Sequence, residues 1–177
     1  IPLPVDLYRS QNQHRGNSMG INLANDDALR DLAAAMNSAG AGSWTASPLV
    51  PGTQPAGEKI AVTNPADRRE VVGHWQASTS ADVERALANA VAAQPGWDAT
   101  PASSRAALLE HAADLLEARM PAYMAMCTKE AGKTLADGIA EVREAVDFLR
   151  YYALQAREHF APIALPGPTG ESNQLQL

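Results

Sequence analysis

The chain has 177 residues, with 20 Asp and Glu against 14 Lys and Arg, a net charge of −6 and 46% hydrophobic residues. This composition excludes a wholly disordered chain, and a negative balance without a basic run argues against nucleic acid or an anionic membrane surface as a partner. A single cysteine forms no internal disulfide, which fits a reducing compartment, and no stretch approaches the roughly 18–20 consecutive apolar residues of a spanning helix.

Residues 1–22 are polar and turn-rich, with Pro2, Pro4, Gly16 and Gly20. They lack the basic and apolar regions of a secretory signal. The start at Ile1, without a methionine, is expected of a section cut from a longer polypeptide. A short helix follows, capped by Asn25, with Leu29, Leu32, Ala33 and Met36 on one face. Residues 40–57, rich in Gly, Pro, Ser and Thr, read as a loop. Lys59 to Thr63 alternates polar and apolar residues, and Glu70 to Trp75 returns as a second strand. Between them Asn64-Pro65-Ala66-Asp67 is a turn, because proline presets φ and Asn or Asp bonds its own backbone. The pair is a hairpin.

The second half is helical. Ser78 or Ser80 caps a helix carrying Val83, Ala86, Leu87, Ala90 and Val91, and Pro95-Gly96 ends it. Thr100-Pro101 opens the next, with proline where its missing N–H costs nothing. Its stripe is Leu108, Leu109, Ala112, Leu115, Leu116 and Met120. Pro121 breaks it and starts a helix to about Ala131. Gly132 follows as the residue of positive φ, and Thr134 with Asp137 forms a capping box. The longest helix then runs to about Phe160 with an apolar face of Ile139, Val142, Ala145, Val146, Leu149 and Ala153. Arg143 with Asp147, and Asp147 with Arg150, are spaced to pair along it. Pro162 to Gly170 is a loop, and Ser172 to Leu177 alternates as the start of a strand.

Few residues suggest chemistry. Cys127 to Thr134 nearly matches a phosphate-binding loop, but its first glycine is replaced by cysteine and it leaves a helix instead of a strand. A corner between helices fits better. Cys127, in an apolar helix, reads as a small core residue. His14, His74, His111 and His159 have no metal-ligand spacing, and no G-x-G-x-x-G is present. Glu141, Glu144 and Asp147 read first as a solvated face. Glu144, beside Ala145 and Val146, is also a candidate for a partly buried carboxylate, which needs a cationic partner or ligand. The residues alone give a mainly helical piece with a small hairpin and no assembled active site.

A resemblance adds to this. The residues that carry it are Asn64-Pro65-Ala66 with Val71-Val72-Gly73, then Trp97 and Arg105, then Ala112 to Glu117. Lys129 to Thr134, Glu141-Val142 and Phe148 to Ala153 complete the set. In this order and spacing they resemble the N-terminal part of an aldehyde dehydrogenase. Arg15 to Asn25, Glu141 to Phe148 and Leu165 to Leu175 resemble the proline utilization A proteins. These are bifunctional proline dehydrogenase and L-glutamate γ-semialdehyde (1-pyrroline-5-carboxylate) dehydrogenase enzymes.

The resemblance implies an α/β parent with the aldehyde dehydrogenase fold. This chain would supply helices, a hairpin and the start of a projecting strand. It implies a linker segment over 1–57 and the N-terminal portion of an NAD-binding domain over 58–177. It implies a cytoplasmic oxidoreductase of proline metabolism using NAD, with FAD in an upstream proline dehydrogenase domain, and a homo-oligomer formed through the C-terminal strand extension. In that family a cysteine thiolate attacks the aldehyde, an Asn and a backbone N–H hold the oxyanion, and hydride passes to NAD. These groups lie C-terminal to the stretch matched here, and Cys127 falls at a helix position, so the resemblance places no catalytic, cofactor or metal residue in this chain. The section alone is expected to be inactive and loosely packed or aggregating. Glu144 matches a pocket-lining glutamate of the semialdehyde dehydrogenases, where it could face the substrate's α-amino group. An aldehyde dehydrogenase of another substrate class, or a non-enzymatic helical interaction module, are the alternatives.

Overall fold

A computed structural model describes residues 3–9, 14–54 and 56–175. Pro2, Gln176 and Leu177, which fall within the turn-rich and strand expectations above, lie outside them. The described residues form a short 3-10 turn (Pro4–Asp6), five α-helices and five strands. They are α1 (Asp26–Ala39), β1 (Trp44–Ala46), β2 (Lys59–Thr63), β3 (Val71–Gln76), α2 (Ser80–Asp98), α3 (Ala102–Ala118), α4 (Met120–Ala131), α5 (Leu135–His159), β4 (Ile163–Leu165) and β5 (Asn173–Leu175). They divide into two compact units. One takes residues to Gly20, Thr100–Ala118 and those from Glu141; the other takes Ile21–Ala99 and Arg119–Ala140.

In the second unit, Asn25 caps α1 by accepting from the backbone N–H of Asp27 and Ala28 at 3.0 and 3.2 Å, an arrangement that contributes about 1 kcal/mol. Of the expected face only Leu32 is buried. Helix α1 packs on α4, which buries Met120, Met124 and Ala125. Met120 therefore belongs to α4 and not to the stripe of α3. The hairpin forms as expected, with β2 antiparallel to β3 and Val62 opposite Gly73. The turn works through Asn64, whose side-chain oxygen accepts from Ala66 N–H at 2.9 Å, while its backbone N–H donates to Glu70. The expected loop over 40–57 contains β1, which pairs parallel with β3 through Trp44 and Gly73. Three residues are too few to show an alternating pattern.

Helix α2 is capped by Thr79, not Ser78 or Ser80, in a reciprocal box with Asp82. It runs through Pro95 to Asp98, because the carbonyl of Pro95 still accepts from Ala99 N–H and closes a last turn. Proline removes a donor but not an acceptor. Val83, Leu87 and Val91 on this helix are exposed. Gly132 ends α4 at φ +66°, with its N–H on the carbonyl of Thr128 and that of Lys133 on Cys127. A Cβ there would sit 3.1 Å from Pro65 Cγ. Gly132→Ala is expected to cost about 1–2 kcal/mol through the left-handed backbone, read as a lower urea midpoint. Thr134 accepts from Asp137 N–H at 3.2 Å and donates its hydroxyl to the Asp137 carboxylate at 2.7 Å, starting α5.

In the first unit the carbonyl of Pro101 accepts from Ser104 and Arg105 at the start of α3. The buried face of α3 is Ala106 and Ala113, while Leu108 and Leu115 are exposed. Two residues further on is about 200° round a helix, so those leucines lie opposite the buried alanines. A helix rich in Ala and Leu on every side does not declare its core face by periodicity. On α5, Val142, Val146 and Ala153 are buried as expected, but Ala145 is exposed. The Pro162 to Gly170 stretch, expected as loop, contributes β4, which pairs antiparallel with β5.

Candidate functional site

Glu144 lies on α5 in the first unit. Contrary to the partly buried expectation, it is exposed. Helix geometry explains this, since Glu144 stands about 200° from both Val142 and Val146, the residues that face the core. It opens onto a hollow of about 370 Å³ lined by Tyr8, Arg15, Glu144, Asp147, Phe148 and Tyr151. Phe148, Asp147 and Tyr151 follow Glu144 at i+4, i+3 and i+7, so one face of α5 supplies most of the wall. Among the described residues Glu144 has no ion-pair or hydrogen-bond partner.

The rest of the wall comes from the N-terminal segment. Its anchor is Ser18, which is buried. Its N–H and hydroxyl donate to the two Asp147 oxygens at 2.9 and 2.7 Å, and it accepts from Arg143 Nε at 3.1 Å. Arg15 stands 3.9 Å from Asp147. Its guanidinium carbon lies 3.4 Å from the centroid of the Tyr8 ring and 5.7 Å from that of Tyr151, within cation–π range of both. The charges of α5, expected to interact along the helix, thus engage groups far away in sequence. Sequence reasoning missed Tyr8 and Arg15 as lining residues because a polar, turn-rich segment carries no periodic signal.

A larger hollow of about 650 Å³ is lined by His14, Arg150, Arg157, Glu110 and Asp114 among others. Its charges are already used. Arg150 donates to Glu117 at 2.9 Å and Asp114 at 3.0 Å, and Arg157 to Glu110 at 2.6 Å and the Ser103 carbonyl at 3.1 Å. It is an ion-pair network tying α3 to α5.

Cys127 is half-buried on α4 in the second unit. The Cys127–Thr134 string is the corner between α4 and α5, and its Gly132 and Lys133 N–H groups are spent on the carbonyls of Thr128 and Cys127 at the end of α4. The Asp137 carboxylate already occupies the N-terminus of α5. Neither feature suits a phosphate. The strand-to-helix turn from β3 to α2 does not either, since it has no glycine and Asp82 fills the helix N-terminus. No three-residue metal cluster occurs among the described residues, and no helix there is long and apolar enough to cross a membrane.

This arrangement of a helical segment beside a short hairpin has clear relatives. Residues 52–176 match the Aldehyde dehydrogenase family. The chain belongs to the aldehyde dehydrogenase family. The bifunctional protein PutA of Klebsiella aerogenes is 45% identical over 160 residues, covering 90% of this chain and 12% of that protein. The crystal structure of a bifunctional proline utilization A protein superposes with a TM-score of 0.74 at 37% identity, covering 99% of this chain and 15% of the other. A 1-pyrroline-5-carboxylate dehydrogenase from Thermus, solved with bound NAD, gives a TM-score of 0.76 at 29% identity over 86% of this chain and 30% of that one. The chain thus has the aldehyde dehydrogenase fold and spans 12% of the length of the PutA relative. Tyr8 and Arg15 precede the matched range, so the hollow joins residues inside the family match to residues before it.

Proposed function

We propose that this chain is the N-terminal section of an NAD-dependent L-glutamate γ-semialdehyde dehydrogenase that works in proline catabolism in the cytoplasm. An FAD-dependent proline dehydrogenase would be fused upstream, residues 1–57 would form the linker, and 58–177 the first part of the NAD-binding domain. The observation that carries the reading is Glu144, a carboxylate without a described partner, in a hollow walled by three aromatic rings. An ammonium group satisfies such a site twice, by charge and by the ring faces. The substrate carries that ammonium; a simple aldehyde does not.

On this reading the NAD site and the nucleophile belong to the rest of the enzyme, and the section alone would be inactive. The β4–β5 hairpin, exposed throughout, would serve the homo-oligomer.

The test is turnover of 1-pyrroline-5-carboxylate with NAD by the enzyme from the complete reading frame. Glu144→Gln is expected to raise KM for the semialdehyde about tenfold, the scale of one hydrogen bond to a charged group, and to leave propionaldehyde nearly unchanged. Equal effects on both would remove Glu144 from substrate binding. Turnover of simple aldehydes only would assign another substrate class.

A further inference from the structure

We propose that the hollow between the small sheet and α4 binds a methylated ammonium ion, held by the rings of Trp44 and Trp75 with Glu130 beside them. The site belongs wholly to the second unit, whereas Glu144 belongs to the first, and it does not depend on the substrate reading above.

The register of the sheet builds it. Trp44 of β1 stands opposite Gly73, and Ala46 opposite Trp75. Paired residues share a face of a sheet, and so do residues two apart on one strand. Both indoles therefore rise from one face, with only a glycine and an alanine opposite them. Helix α4 packs on β2 and adds Met126 and Glu130, one turn apart, to the wall. Together they bound a hollow of about 220 Å³. Pockets for drug-sized ligands run to roughly 300–1,000 Å³, so this one suits a small head group.

The chemistry of the wall selects the occupant. Trp75 is 43% exposed, a large ring that the fold leaves open. Among the described residues neither indole meets another ring or a guanidinium, and Glu130 has no ion pair or hydrogen bond. The neighbouring Lys129 is engaged by the Gly40 carbonyl and Glu70, both at 2.9 Å. No lysine or arginine lines the hollow. An anion would be repelled by Glu130, and a neutral apolar ligand would leave that charge unanswered. A bare ammonium needs hydrogen-bond acceptors on several sides, which two ring faces do not supply. A methylated ammonium gives its methyl groups to the rings and its charge to their quadrupoles and to the carboxylate.

The probe is choline, titrated into the complete enzyme at constant ionic strength and followed by saturation-transfer NMR of its methyl protons. Its uncharged carbon isostere, with a tert-butyl group in place of the trimethylammonium, has the same shape without the charge. Choline is expected to saturate, and the isostere to bind about tenfold more weakly. Trp75→Leu is expected to weaken choline about tenfold and Glu130→Gln about threefold, with dehydrogenase turnover unchanged in both. Trp75→Phe, which keeps a ring face, should fall between the unsubstituted enzyme and the leucine variant. It and Glu130→Gln, at an exposed position, carry the test if the leucine variant folds poorly. Glu144→Gln should leave choline affinity as it is. The inference is overturned by an absence of saturable binding, by equal affinity for choline and its isostere, or by binding that falls with Glu144→Gln and not with Glu130→Gln.

Discussion

Arg150→Met is expected to destabilise the first unit by about 2 kcal/mol at neutral pH, between the cost of losing an exposed ion pair and that of breaking a fully buried one, because the pair is part-buried. Arg150 and Glu117 are each 15% exposed in their side chains and lie 2.9 Å apart. Asp114, 3.0 Å from Arg150, is mostly exposed and adds little. Glu117 also accepts from the backbone N–H of Met19, and Arg150 reaches the carbonyl of Asn17 at 3.5 Å. One guanidinium therefore ties α3, α5 and the segment that carries Ser18. Burial pushes the Glu117 carboxyl up, but the hydrogen bonds from Arg150 and Met19 and the Arg150 charge outweigh it and hold it below its ordinary value. The sign follows. A carboxylate lowered in the folded state contributes its full stability above the ordinary carboxylate pKa of about 4.3 and loses it as the pH falls through the lower folded value. Without Arg150, burial and the Asp114 charge stand against the Met19 N–H alone, Glu117 takes up its proton at higher pH, and protonation relieves the unpaired charge. The deficit of the variant should be largest near pH 7 and shrink towards pH 4. Urea unfolding at both pH values, with amide exchange at Met19 in the complete protein, reads this. A deficit that does not change with pH would mean that Arg150 acts through packing alone.

Legibility from the sequence followed the range of the interactions. Asn25, the Asn64 turn, Gly132 and the Thr134–Asp137 pair act within six residues, and all stand in the structure where the local pattern puts them. Strand β1 does not act locally. Trp44 pairs with Gly73, and nothing in three residues announces a partner so far along the chain. The faces of α3 failed for another reason. With apolar residues on several sides, what is buried depends on what approaches, and close approach selected Ala106 and Ala113 over the larger leucines. The site divides in the same way. Glu144 could be singled out from its place in a recognisable helix, but its exposure depends on the angle between it and Val142. Arg15 and Tyr8 enter the hollow through Ser18 and Asp147, a contact across 129 positions, for which the sequence holds no periodic sign.

Gly73→Val should show how far the small sheet depends on that distant pairing. Gly73 is buried in the middle strand, with Trp44 of β1 on one side and Val62 of β2 on the other. A Cβ built on it would lie 2.3 Å from the Trp44 carbonyl oxygen and 3.0 Å from its carbon. The obstacle is backbone, which has no rotamer to turn away, so β1 must leave β3 or the hairpin must distort. Overpacking of this kind costs about 1–3 kcal/mol, and the lost ladder bonds of β1 add to it. Trp44 also walls a hollow of about 220 Å³ shared with Val72, Trp75 and Met126, so a displaced β1 removes one of its walls. The expected result is a lower denaturation midpoint and rapid amide exchange over Trp44–Ala46, with α1 and its Asn25 cap protected as before. Gly42→Ala is the control, because nothing lies within 4 Å of a Cβ there, and its effect should stay within about 0.5 kcal/mol. If Gly73→Val behaves like that control, β1 contributes nothing to the unit, and the β2–β3 hairpin with α4 suffices to hold it.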